Sequence, residues 1–178
     1  HGYMEIRYLL QEELRTTLQD AAKAEKRFAQ IFGRGGDTYI EPYRSEDADY
    51  VAVGLGSLTY QLRVCVDALR QEGLKVGVMG VRYYRPFPDE AIANALKGKK
   101  GIIVFEKALS YGYEGALMSD LKSALYEHLT GTGHLPPVQN FIAGIGGREI
   151  HTNDLTQALR AATKSRVSKE PTWIGLKF

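Results

Sequence analysis

Six groups of residues in this sequence are of types that could do chemistry. The first, Gly54-Leu55-Gly56-Ser57, stands between an apolar run and a segment of helical period. Backbone N–H groups at such a turn, with the positive end of a helix dipole behind them, can hold a phosphate or another anion. The turn departs from a dinucleotide fingerprint, because no third glycine follows at Tyr60 or its neighbours and no acidic residue closes the next strand. It also lacks the lysine of a P-loop. Two readings therefore stand: a turn that lets strand and helix pack closely, or a weak anion site of Gly54, Gly56 and Ser57.

The other groups promise less. Cys65 has no histidine or helix N-terminus near it to lower its pKa, so it reads as a packing thiol. As the single cysteine, it excludes an internal disulfide and any multi-cysteine metal or iron–sulfur site. His1, His128, His134 and His151 are far apart, and none has a second ligand four residues away. Arg82-Tyr83-Tyr84-Arg85 resembles a base-stacking patch, but aromatic alternation at a strand end reads better as core on one face and interface on the other. Arg34 among glycines could cup an anion, or could be a solvated residue beyond a helix cap. Glu106-Lys107 closes an apolar strand on the side where open α/β sheets bind ligands. No Ser-His-Asp order, carboxylate pair or cofactor lysine can be assembled.

The elements that must position these residues follow from periodicity. From Met4 to about Phe32 no proline or glycine intervenes, and Leu10, Leu14, Leu18, Ala21, Phe28 and Ile31 mark one amphipathic helix stopped by Gly33. Its length suits a connector that packs partly outside the domain. Tyr39 to Tyr43 reads as an edge strand limited by Pro42. Tyr50–Leu55, a helix with Leu58, Leu62, Val66 and Leu69 inward, and a strand from Leu74 running on to Arg85 make a βαβ unit. A short helix opens at Asp89-Glu90, as the dipole favours. A buried strand at Ile102–Phe105, a helix with Leu117, Leu121, Ala124, Leu125 and Leu129 inward, and a strand over Val138–Ile145 come next. Thr152-Asn153-Asp154 offers caps to a last helix. Beyond Lys164 an extended tail ends in Trp173, Ile174, Leu176 and Phe178.

The alternation predicts a three-layer α/β/α sandwich with a mixed, mainly parallel sheet. The expected organisation is a connector helix and glycine corner over 1–36, an α/β domain over 37–163 and a tail over 164–178. The net charge of +2, from 23 Lys and Arg against 21 Asp and Glu, gives no reason to expect nucleic acid or an acidic membrane as partner. No apolar run approaches the roughly 18 residues of a membrane span, and no signal pattern opens the sequence. A reducing cytoplasm fits the lone thiol. The start at His1, without an initiator Met, reads as a fragment or a processed piece.

Taken in order, Phe32-Gly33-Arg34, Tyr43, Asp47-Ala48, Gly56-Ser57, Leu69-Arg70, Gly73 to Gly77 and Val81-Arg82-Tyr83-Tyr84-Arg85-Pro86-Phe87-Pro88 resemble the C-terminal domain of the alpha subunit of pyruvate:ferredoxin oxidoreductase. Ser110, Gly112, Gly115, Ala143 to Arg148 and Trp173 continue the likeness over nearly the whole sequence. The resemblance implies a fold like the transketolase C-terminal domain. It also implies an enzyme in which a 2-oxoacid and coenzyme A give an acyl-CoA and carbon dioxide. Electrons would pass through thiamine diphosphate and iron–sulfur clusters to ferredoxin. The acidic diphosphate and Mg²⁺ motif of such enzymes is absent here. Those parts are expected on other domains or subunits, with no catalytic residue in this chain.

Overall fold

The computed structural model describes residues 2–35, 39–165 and 168–177. His1, Gly36 of the expected corner and Phe178 of the expected tip lie outside them. The chain begins with helix α1 (Tyr3–Phe32), ended by Gly33 at a left-handed φ of 64°, whose N–H donates to the Ala29 carbonyl at 2.9 Å. An edge strand β1 (Ile40–Tyr43) leads to β2 (Tyr50–Leu55), helix α2 (Ser57–Gln71) and β3 (Val76–Val81). Helix α3 (Asp89–Leu96), β4 (Gly101–Glu106), helix α4 (Ala116–Leu129) and β5 (Val138–Ile142) follow. Helix α5 (Thr152–Ala162) and a two-residue strand β6 (Thr172–Trp173) complete it.

The strands form one sheet in the order β1-β3-β2-β4-β5-β6, with β1 antiparallel to β3 and all other pairs parallel. The period of two along each strand sorts the side chains between two cores. Val51, Val53, Met79 and Val104 face α3 and α4, meeting Ile92, Leu96, Leu117 and Leu121. Ala52, Val78, Ile103 and Phe105 face α2 and α5, meeting Leu62, Val66, Leu155 and Leu159. Both faces of β3 and β4 are buried, which is why these strands read as unbroken apolar runs. The expected inward residues of α2 and α4 are buried, and the mixed, mainly parallel three-layer sandwich is the observed architecture.

Two cations fix the loop before β2. Arg70 of α2 donates to the carbonyls of Val76 and Arg44, both at 2.7 Å, and to both carboxylate oxygens of Asp47. Lys99 donates to the carbonyls of Ser45, Glu46 and Ala48 at 2.6–3.1 Å. The loop's backbone acceptors are thereby satisfied by side chains from α2 and from the approach to β4.

Several boundaries differ from expectation. β3 stops at Val81 rather than Arg85, because its antiparallel partner β1 starts at Ile40; beyond it Arg82 and Tyr83 both donate to the Tyr39 carbonyl. β5 stops at Ile142 rather than Ile145, since Gly144 turns left-handed at φ 73° and a 3-10 turn occupies Ile145–Gly147. The N-cap of α5 is His151, whose side chain makes no cap bond, so Thr152-Asn153-Asp154 lie inside the helix rather than before it. The tail folds back onto the domain as β6, an element the residue pattern did not predict. In α1, Leu10 and Leu14 of the expected stripe are exposed, whereas Ala21 is buried.

The crossovers are not all of one hand. The chain goes from β4 to β5 through α4 over one face, and from β5 to β6 in the same direction through α5 over the other face. Two such connections have opposite hands, and parallel crossovers are right-handed in about 98% of cases. The β5–α5–β6 connection is thus an addition outside the regular winding.

Candidate functional site

In an open α/β sheet the chain's change of direction creates a crevice at the carboxyl ends of the strands. Here the change falls at β2, whose neighbours are β3 on one side and β4 on the other. The turn after β2 is Gly54-Leu55-Gly56-Ser57, and Glu106 closes β4 beside it. Both sequence candidates of this edge therefore lie where the fold would place a ligand.

The glycine turn is built around packing. Gly54 stands opposite Gly80 of β3, and Thr59, in the first turn of α2, lies over the pair. A Cβ on Gly54 would sit 3.3 Å from Leu62 Cδ1 and 3.5 Å from Thr59 Oγ1, and one on Gly80 only 2.8 Å from Thr59 Cγ2. The paired glycines thus let α2 settle directly on the strand backbones. Thr59 is buried, and among the described residues its hydroxyl has no hydrogen-bond partner. Gly56 caps α2 at φ 55°, a conformation L residues avoid, and it and Ser57 are exposed, with no side-chain bond at the cap.

Across the crevice Glu106 closes β4 at the end where such sheets bind ligands, but its side chain turns inward and is 2% exposed. Its Oε2 accepts from the Leu117 N–H at 2.9 Å, and its Oε1 from the Met118 N–H at 3.2 Å and Asn140 Nδ2 at 2.9 Å. Asn140 Oδ1 in turn accepts from the Gly115 N–H at 3.0 Å. The donors left free at the start of α4 are met by a carboxylate and an amide of the same chain. A side chain at Gly115 would overlap the Glu106 carboxyl, so glycine is required there. Burial pushes the Glu106 pKa up, opposed by the Leu117 N–H, the Asn140 amide and the Met118 N–H; nearby Glu114 adds to the rise. Glu114 is itself buried and bonded to Lys122 at 2.5 Å and to Ser119 at 3.0 Å. Asn140 and Glu114 carried no signal in the sequence beyond their nearness to apolar strands and glycines.

The remaining candidates disperse. Cys65 is fully buried, with Sγ donating toward the carbonyls of Gln61 and Thr152, and burial pushes its thiol pKa up. His128 pairs with Asp89 at 3.0 Å, His134 approaches the Lys99 carbonyl at 3.3 Å, and His151 lies 3.7 Å from Glu149. Among the described residues no three His, Cys, Asp or Glu side chains converge on a metal-sized space. The Arg82–Arg85 group splits apart. Tyr83 meets Tyr39 edge-on, while Tyr84 packs on the core and on Phe87, with Arg85 stacked over it at 4.3 Å and paired to Asp120 at 2.8 Å. Arg34 is exposed and lies over the Phe28 ring.

Two cavities open along the same edge of the sheet. One, of about 500 Å³, lies between the Ile145–Glu149 turn and Gly175 and Lys177 of the tail. The other, of about 410 Å³, lies between Leu109, Tyr113 and Glu114 on one side and Lys169, Pro171 and Trp173 on the other.

These features define an open α/β domain whose glycine turn and buried carboxylate both serve packing, with a long helix leading in. Residues 48–155 match the family model of pyruvate:ferredoxin oxidoreductase core domain II, and the chain belongs to that family. It is 38% identical over 179 residues to pyruvate synthase subunit PorA of Pyrococcus abyssi, covering 98% of this chain and 44% of the relative. It is 36% identical over 179 residues to ketoisovalerate oxidoreductase subunit VorA of Pyrococcus horikoshii, with the same coverage. The chain thus spans less than half the length of these relatives. Among solved structures it aligns with a split-gene transketolase in an inactive β4 tetramer, at TM-score 0.49 and 22% identity over 68% of this chain and 40% of that one.

Proposed function

We propose that this chain is the assembly domain of a 2-oxoacid:ferredoxin oxidoreductase, with no catalytic residue of its own. The whole enzyme would convert a 2-oxoacid, pyruvate foremost, and coenzyme A to an acyl-CoA and carbon dioxide, and would reduce ferredoxin. Kinship with the PorA and VorA subunits supports this reading. Thiamine diphosphate, Mg²⁺ and the iron–sulfur clusters then belong to other domains or subunits. The residues present do not fit those groups. A cluster needs several thiolates, and the single cysteine is buried against backbone carbonyls. The buried carboxylate Glu106 is already committed to α4.

One observation carries the assembly role. Tyr3, Ile6 and Leu10 are 73%, 55% and 47% exposed on the first half of α1, although both cores of the α/β body are closed without them. Apolar residues repeated along one side of a helix need a cover. In this reading residues 1–36 join the domain to the rest of the enzyme, 37–163 form the α/β unit, and 164–178 form the tail. The test is calorimetry on the purified 178-residue chain with thiamine diphosphate and Mg²⁺, followed by anaerobic cluster reconstitution. No binding heat and no cluster absorbance are expected. Tight thiamine diphosphate binding overturns the assignment.

A further inference from the structure

We propose that residues 168–177 form a releasable strap, which opens the carboxyl edge of the sheet while the five strands beneath it stay folded. Both edge cavities use this segment as a wall, the first through Gly175 and Lys177 and the second through Lys169, Pro171 and Trp173. Whatever frees the segment opens both cavities at once.

Little holds it down. β6 has two residues, paired with Phe141 and Ile142, and one more N–H, that of Ile174, donates to the Ile142 carbonyl at 2.9 Å. Among the described residues the side-chain hydrogen bonds of the segment are internal, between the Ser168 hydroxyl and the Glu170 backbone. Among the described residues no ion pair ties it to the body. Ile174 is its apolar anchor, half-buried against the α2–α5 core, while Trp173 and Leu176 remain 39% and 51% exposed. By contrast β4 is buried from end to end and paired on both sides. The connection to the strap also has the hand opposite to that of β4–α4–β5. Segments with few buried apolar contacts open at free energies well below that of global unfolding.

Trp173 is the only tryptophan, so the strap carries its own reporter. The experiment is a urea titration of the 178-residue chain followed by tryptophan fluorescence and by far-UV circular dichroism, with amide exchange in native buffer. Fluorescence is expected to change at lower urea than circular dichroism, and the Ile174 amide to exchange at least roughly a hundredfold faster than that of Val104. Ile174→Ala is expected to move the fluorescence midpoint down and leave the dichroism midpoint in place. Coincident transitions, an Ile174 amide as slow as that of Val104, or a variant that shifts both midpoints together each overturn the proposal.

Discussion

Gly54 and Gly80 face each other across β2 and β3, and the space their missing side chains leave is filled by Thr59 of α2. The helix is seated by shape at this point, and the seat has a flaw, since the Thr59 hydroxyl is buried with no partner among the described residues. Gly80→Ala should cost about 1–3 kcal/mol, because its Cβ would meet Thr59 Cγ2 at 2.8 Å between two rigid elements. Thr59→Val keeps the shape and removes the orphan hydroxyl, so it should be neutral or stabilising by up to about 1 kcal/mol. Urea melts of both variants check this. A Thr59→Val loss above the Gly80→Ala loss would reveal a hydrogen bond that the hydroxyl needs.

Glu106 gives the domain a pH response of predictable sign. Its pKa is raised by burial, so the folded state holds its proton more tightly than the unfolded chain does. Its contribution is then present at low pH and declines as pH rises from the ordinary glutamate value through the folded one. Against Glu106→Gln, which cannot ionise, the stability advantage of the natural residue should be largest below the ordinary glutamate value of 4.5 and smaller toward neutrality. Urea melts of the two proteins at a series of pH values measure that difference. An advantage that grows with pH would mean that the three donors outweigh burial. Gly115→Ala, which pushes the carboxyl out of its place, should be among the most damaging single changes, at about 3 kcal/mol or more.

Much of this architecture was legible because period and punctuation agreed. The unbroken apolar run of β2, the glycine after α1 and the spacing of Leu117, Leu121 and Leu125 each specify one local answer. What stayed hidden depended on partners distant in sequence. β3 ends at Val81 because of where β1 begins, which no residue of Arg82–Arg85 records. β6 is defined by its pairing with the β5 edge, a partner far back in the sequence. Glu106 looked like a ligand-facing carboxylate because its strand position is right for one; its inward turn depends on the N-terminus of α4 and on Asn140, 34 residues on.

The turn at Gly56 allows a direct decision between packing and anion binding. At φ 55° the residue sits where L side chains are strained, yet the space a Cβ would take is open. Gly56→Ala should therefore cost roughly 1–2 kcal/mol through the backbone alone and leave the fold intact. If the turn only seats α2, inorganic phosphate and nucleotides will not raise the melting temperature of the unaltered chain. A rise that Gly56→Asp removes would establish the anion site.

The first half of α1 separates what the domain needs from what an assembly would need. Leu10 and Leu14 are exposed on the same helix whose Ala21 is buried. In the 178-residue chain Leu10→Asp and Leu14→Asp should each change stability by no more than about 0.5 kcal/mol, the usual range for exposed positions. Ala21→Asp should cost about 1–3 kcal/mol, because it buries an unpaired charge where the helix is covered. Under the proposed assembly role the order should reverse in the complex: Leu10→Asp and Leu14→Asp should weaken retention of this polypeptide in the complex on gel filtration while the domain stays folded. If both variants assemble as well as the natural subunit, the stripe is not the docking face, and the assembly role proposed for α1 fails with it.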